Sequence, residues 1–492
     1  MLATTEPWYS ASAEGQTVMR KKAKIIISDL HLGAGGSDQG NLLEDFHSDD
    51  AFAQFLSQLA AESQQQGIEL ELIVAGDMFE FLQVPALTPE EFDPAATYPI
   101  ELYDSSAEMD SSRKMQLIIA GHPPLFAALR EFIRASFPRR RLTIIKGNHD
   151  VNLHWPEVQE RIRAALDATR DRAHCLAFEE RRVSGEGLYV EHGHQYCERV
   201  NRFPDFEEPH DPDSPEQLYL PLGSRFVFTL LNELERQLYW VDGVKPLTAL
   251  VWYAFALDPG LAVRALWTLL RRAPALVWEG FPLRLADEPD LETLEVVLAS
   301  LAHLRHDLKD GQVLQSLKRN ARWRAAFYER LDAVLSYYGT RWPRELREQP
   351  RVPVRATLAK GWAEERAQHL ALAKVARHKR LQERAQVIVF GHTHTAGIEE
   401  LEGGAVYLNS GTWTWVRDFS GDDHSSWQRL LKHPERFTSE RRLSYVRVDY
   451  MEDGTPVGHL KEFRLPEERR PTARVSHRPR PLWKRFCNWV GR

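Results

Sequence analysis

Apolar residues fall along the chain in short, β-branched-rich runs, and each run breaks into polar residues. "KIIIS" (24–28) leads into Asp29-Leu30-His31, "LELIVA" (70–75) into Gly76-Asp77, and "LTIIK" (142–146) into Gly147-Asn148-His149-Asp150. "GLYVE" (187–191) leads into His192-Gly193-His194, and "VIVF" (387–390) into Gly391-His392-Thr393-His394. Short runs of this kind predict buried strands. Helical patterns separate the early ones, as in "DDAFAQFLSQLAAESQQQG" (49–67) and "HPPLFAALREFIRASF" (122–137). Strands alternating with helices predict an α/β sheet. Ligands of such sheets bind beyond the carboxyl ends of the strands, where all five polar clusters fall.

From about residue 224 to 385 the pattern turns mostly helical, as in "RFVFTLLNELERQLYW", "LETLEVVLASLAHLRHDL" and "WRAAFYERLDAVLSYY". Sheet patterns resume with "QVIVFGHTH", "AVYLNSGTW" and "RLSYVRVDY". The expected organisation is a discontinuous α/β domain over 22–200 and 386–465, a helical insertion or lid over 201–385, and a basic Pro/Arg/Trp tail over 466–492. In the insertion, 246–283 is apolar nearly all round, including Trp252, Trp267 and Trp278. A helix of that kind is buried or meets lipid. In the tail, Leu482, Trp483, Phe486, Trp489 and Val490 recur at helical spacing among Arg478, Arg480, Lys484, Arg485 and Arg492. This is the pattern of an interfacial anchor, to be set against a solvated tail or one docked on the protein's own surface.

Composition narrows the class. At 492 residues the chain exceeds what one compact core holds. The net charge of -7 leaves no overall basic footprint, which argues against nucleic acid as partner. Cys175, Cys197 and Cys487 are odd in number and far apart, so neither a disulfide framework nor a cysteine zinc site is expected. A reducing cytoplasm fits, with peripheral contact on the inner membrane face through tail or insertion. The first twenty residues lack the continuous apolar segment of a signal peptide. No uninterrupted apolar stretch reaches the roughly 18 residues of a membrane span.

The polar clusters supply metal-compatible atoms. Divalent ions take carboxylate oxygen and imidazole nitrogen. Residues two apart in an extended segment share a side, so Asp29 with His31 and His392 with His394 are expected to aim donor pairs at one place. Asp77, Asn148 and His192 complete seven donors, enough for two ions. Each cluster alone has a blander reading: Asp77 as a helix cap or turn residue, His192 as a packed histidine, His149-Asp150 as a turn with an Asx bond. Five clusters in one order, each ending a predicted strand, favour the two-metal reading.

The set Asp29-x-His31, Gly76-Asp77, Gly147-Asn148-His149-Asp150, His192 and Gly391-His392-x-His394 resembles the calcineurin-like metallophosphoesterases over about 24–200 and 386–465. The resemblance implies a sandwich of two mixed β-sheets flanked by helices. It also implies that Asp29, His31 and His394 hold one metal, that Asn148, His192 and His392 hold the other, and that Asp77 bridges them. His149 would protonate the leaving oxygen, and Asp150 would accept a hydrogen bond from His149. Two divalent ions are expected, manganese first, with iron or zinc as alternatives. The activity implied is phosphoester hydrolysis by a metal-bridging hydroxide. His194 lines the site or packs. Within the superfamily, "SDLHLG" (28–33) and "GDMFEF" (76–81) resemble the UDP-2,3-diacylglucosamine pyrophosphatases, which carry an insertion at the same place. Two departures stand: that subfamily usually has Arg where this chain has His149, and its insertion is much shorter. The expected substrate is an amphipathic, lipid- or nucleotide-linked phosphodiester or pyrophosphate. The alternatives are a soluble phosphatase, phosphodiesterase or nuclease, and a non-enzymatic scaffold. Oligomeric state is left open.

Overall fold

The computed structural model describes residues 21–196, 201–236, 238–245, 363–419, 424–438 and 441–465. The apolar stretch 246–283, the two helical patterns at 291–308 and 323–338, and the tail 466–492 lie outside the described residues. The strands are β1 Lys22–Ile27, β2 Glu69–Ala75, β3 Arg140–Ile145, β4 Leu176–Glu179, β5 Arg182–Gly185, β6 Leu188–Glu191 and β7 Val244–Lys245. They continue as β8 Val387–Phe390, β9 Gly397–Glu400, β10 Val406–Asn409, β11 Arg417–Asp418, β12 Leu443–Tyr450 and β13 Pro456–Phe463.

Two mixed sheets carry the structure. The first runs β13-β12-β1-β2-β3-β4, with β1 to β4 parallel and β12 and β13 antiparallel at one end. The second runs β5-β6-β8-β10-β9, with β6, β8 and β10 parallel and an antiparallel strand at each edge. A parallel neighbour requires a long crossover. The helix Asp49–Gln66 joins β1 to β2, Glu108–Gly121 and Pro123–Ile133 join β2 to β3, and Pro156–Ala165 lies between β3 and β4. The sequence patterns at 49–67 and 122–137 match two of these. The helix Glu108–Gly121 is more polar, and its buried face includes Ser111, Ser112 and Lys114.

Alternation within each strand sorts the layers. Ile26, Ile73, Ala75 and Ile145 of the first sheet meet Leu188, Val190, Val387 and Val389 of the second in one apolar cluster. Their neighbours Ile25, Ile27, Leu72, Val74, Leu142 and Ile144 face the other way, onto Phe52, Phe55, Leu125 and Phe132 of the crossover helices. The far face of the second sheet, with Tyr189, Ile388 and Tyr407, packs on Leu372, Ala373 and Ala376 of the helix Ala363–Glu383. The result is α/β with two mixed sheets flanked by helices. Every central strand is covered on both faces, hence its near-continuous apolar sequence. No helix among the described residues is long and apolar enough to cross a membrane.

Candidate metal centre

The loops that leave β1, β2, β3, β6 and β8 meet at one edge. Backbone bonds knit the first two together: the N–H groups of Asp29, Leu30 and His31 donate to the carbonyls of Gly76 and Asp77. Thr412 Oγ1 donates to the Asp29 carbonyl at 2.6 Å, which ties in the segment after β10.

Two groups of donor atoms result. Asp29, His31 and His394 place ligand atoms within 4.8 Å of one another, and so do Asp77, His192 and His392. His31 Nε2 and His394 Nε2 are 3.2 Å apart, and His394 Nε2 lies 3.4 Å from Asp29 Oδ1. His192 Nε2 lies 3.0 Å from Asp77 Oδ2 and 3.2 Å from Asn148 Oδ1. The structure therefore brings together all seven donors singled out in the sequence. Asp29, Asp77, Asn148 and His192 are almost wholly buried.

Convergence arises differently from the extended-strand alternation expected above. Asp29 (φ 54°), His31 (φ 50°), Asp77 (φ 50°), His392 (φ 69°) and His394 (φ 62°) all occupy left-handed backbone. They make up five of the nine non-glycine residues with positive φ among the described residues. Such conformations cost about 1–3 kcal/mol each and persist where the surroundings over-determine them. Here the surroundings are the paired loop backbones and the carboxylates. Asp29 Oδ2 accepts from the His392 N–H at 3.0 Å, and Asp77 Oδ1 from the His149 N–H at 2.8 Å. Gly76 permits a close approach: a Cβ there would stand 2.5 Å from the His192 ring, and its own φ is 86°.

Outer hydrogen bonds set the imidazole tautomers. His192 Nδ1 donates to the Ala75 carbonyl at 2.9 Å, leaving Nε2 as the nitrogen that faces Asp77 and Asn148. His31 Nδ1 donates to Glu80 Oε2 at 2.8 Å, leaving Nε2 toward His394. Histidines that bind metal are held in this way.

The hydrogen bond expected from His149 to Asp150 is not formed. His149 Nδ1 donates instead to Glu80 Oε2 at 2.6 Å. Asp150 is turned inward, where its carboxylate accepts the backbone N–H groups of Gly147 (2.6 Å), Met78 (2.8 Å) and Phe79 (3.3 Å). Its position is that of a brace between the β2 and β3 loops. Glu80 lies outside the donor motifs of the sequence, and its one signal there is its place as the third residue after Asp77 in "GDMFEF". His194 is buried against Phe206, with ring centroids 4.4 Å apart. Neither of its ring nitrogens has a hydrogen-bond partner among the described residues.

The electrostatics follow from burial opposed by partners. Burial raises the Asp29 carboxyl, but the hydrogen bond from His394 and the charge of His192 outweigh it, and its pKa falls to about 2. Asp77 likewise falls well below the carboxylate range because His192 and His149 face it. Glu80 is pulled down to about 2 by His149 and His31. Burial favours a neutral His149, yet the carboxylates of Glu80 and Asp77 lift it to about 9. The site sets buried, ionised carboxylates beside His149 and His192, whose pKa values those carboxylates raise to about 9 and about 10.

No family model matches the chain, and no curated protein matches it. Among the solved structures that match is Vps29 from Entamoeba histolytica complexed with Zn2+, at 20% identity over 19% of this chain, with a TM-score of 0.10. The chain spans about half the length of that protein, 47%.

Proposed function

We propose that this chain is a dinuclear metal-dependent phosphoester hydrolase. The observation that carries the reading is the convergence of seven oxygen and nitrogen donors in two adjoining groups, with His149 beside them. The donor chemistry fits hard or borderline divalent ions, manganese first and iron or zinc next. Asp29, His31 and His394 would hold one ion, Asn148, His192 and His392 the other, and Asp77 both. When bound, two such ions lower the pKa of a shared water and clamp the phosphoryl oxygens.

The chain's own residues supply the rest. Glu80 holds the His149 ring by Nδ1, so Nε2 is the nitrogen free to face a substrate. His149 Nε2–H gives its proton to the departing alkoxide. Asp150 keeps the β3 loop seated by three backbone bonds. The substrate is proposed to be an amphipathic phosphodiester or pyrophosphate, on the strength of the apolar sequence at 246–283.

The test is to reconstitute metal-free protein with Mn2+ and assay phosphate monoesters, diesters, UDP-sugars and lipid phosphates alongside Asp77→Ala. The parent should bind two ions in this centre and hydrolyse at least one class. Asp77→Ala should lose activity and metal while keeping its circular dichroism spectrum. Equal activity and metal content in the two proteins would overturn the reading.

A further inference from the structure

A second set of metal-compatible side chains lies outside this centre. His154 follows the β3 loop, at the end of the short helix Val151–His154. His210 and Glu208 belong to a small hairpin at the start of the segment after His194. There His210 pairs with Leu218, and the Tyr219 N–H donates to the Pro209 carbonyl at 2.7 Å. His154 Nε2 and His210 Nε2 face one another at 3.3 Å. Glu208 Oε2 stands 4.0 Å from each.

An outer hydrogen bond fixes the tautomer of one ring, His210. His210 Nδ1 is 3.0 Å from the Pro215 carbonyl oxygen, which only accepts, so Nδ1 carries the hydrogen. His154 Nδ1 makes no hydrogen bond among the described residues; the Glu180 carboxylate stands 3.9 Å from it, the side on which a proton would meet a negative charge. The His210 Nε2 lone pair thus faces His154 Nε2, and with the same tautomer on His154 the two lone pairs converge on one space, where a bound cation or a shared proton must lie between them. Glu180 is itself paired with Lys146, so the nearby ammonium is already neutralised.

The spacing suits a tetrahedral cation such as zinc. Two imidazole nitrogens on a tetrahedral zinc, each at about 2.0–2.1 Å, lie about 3.3–3.4 Å apart. The observed 3.3 Å is that separation. Glu208 Oε2 stands about 0.7 Å beyond tetrahedral spacing, a small rotation for a side chain 73% exposed. Two histidines and one carboxylate are a zinc-type donor set, with water as fourth ligand. We propose that His154, His210 and Glu208 form a zinc site separate from the dinuclear centre, and that it pins the hairpin around His210 to the loop carrying Asn148 and His149.

The surrounding frame is built without it. Gln217 Oε1 accepts from the Ser106 N–H at 2.7 Å, and Trp155 Nε1–H donates to the Ser106 carbonyl at 2.8 Å. Leu218 is buried with Val151, Phe203 and Phe206. Substitution at the partly exposed His210 should therefore remove a ligand and not the fold.

The experiment uses full-length protein carrying Asp77→Asn, which weakens the dinuclear centre, stripped of metal and titrated with Zn2+ alone. One zinc should bind outside that centre. Adding His210→Ala, or separately Glu208→Ala, should weaken that zinc by roughly tenfold or more, since even loss of an outer hydrogen-bond partner costs about 10–100-fold. With Co2+ as probe, the visible absorption of a four-coordinate ion should disappear with His210→Ala. Melting curves in excess chelator should coincide for all three proteins. Unchanged zinc affinity and unchanged Co2+ absorption in both added variants would overturn the site and leave a proton shared between the two histidines as the explanation. Neither result bears on the dinuclear centre, whose test is the activity of the Asp77 variant.

Discussion

Glu80 takes two imidazoles on one carboxylate oxygen, His31 at 2.8 Å and His149 at 2.6 Å. It thus links the orientation of a candidate metal ligand to that of the candidate acid. His149→Ala should lose roughly 10²–10⁴-fold in kcat on alkyl phosphoesters, the usual contribution of a general acid. It should lose far less on p-nitrophenyl esters, whose leaving group needs no proton. Equal losses on both would remove His149 from that role. The sign of the pH dependence is set by the protonated form being the active one. Activity on alkyl esters should decline as pH rises through about 9, where His149 gives up its proton. Glu80→Gln removes the charge that holds this pKa up, so the decline should begin at lower pH. An unshifted alkaline limb would show that Glu80 does not set it.

Among the elements, the inter-sheet layer bears directly on the site, because it fixes the distance between loops from different sheets. Ile73 on β2 is fully buried there against strands of the second sheet. Ile73→Ala should cost about 2–5 kcal/mol by denaturant unfolding, the range for deleting a buried aliphatic side chain. A second junction is charged. His122 stands between the helices Glu108–Gly121 and Pro123–Ile133, with Nδ1 3.0 Å from Asp49 and Nε2 3.4 Å from Glu44. Burial disfavours its cation, but the Glu44 charge and the Asp49 hydrogen bond outweigh this and raise its pKa from 6.5 to about 10. A pKa raised on folding contributes stability that is complete below about 6.5 and lost as pH rises through about 10. Unfolding free energy should therefore fall between these limits in the parent, and less steeply in His122→Gln. Parallel slopes would show that the pair does not stabilise the fold.

At the scale of the whole molecule, the candidate centre uses both sheets. β1, β2 and β3 carry Asp29, His31, Asp77 and Asn148, while β6 and β8 carry His192, His392 and His394. Neither sheet alone supplies a complete set, so folding and metal binding should be coupled: Mn2+ should raise the melting temperature of the parent but not of Asp77→Ala. The segment 466–492 belongs to this scale as well, as the proposed contact with an anionic membrane. Each basic residue near anionic lipid adds about 1 kcal/mol. Full-length protein should co-sediment with anionic vesicles at low salt, and a chain ending near Pro466 should not. Equal sedimentation would assign any membrane contact to another part of the chain.

The amino-acid sequence by itself determined the strands that bear ligands and the seven donors they present. Both are local: an apolar run of four to seven residues specifies a buried strand, and the polar residues at its carboxyl end have nowhere to go but the sheet edge. It also placed the helices at 49–67 and 122–137, whose apolar faces repeat at helical spacing. The tertiary structure decided what depends on residues far apart. The left-handed backbone of Asp29, His31, Asp77, His392 and His394 is enforced by neighbouring loops, and no run of sequence reports it. The partner of His149 is another such case. Asp150 is adjacent in sequence, but three backbone N–H groups claim its carboxylate. Glu80, 69 positions upstream, is delivered by the pairing of β2 with β3. The facing nitrogens of His154 and His210 are 56 positions apart and come together where the hairpin docks on Ser106 and Trp155.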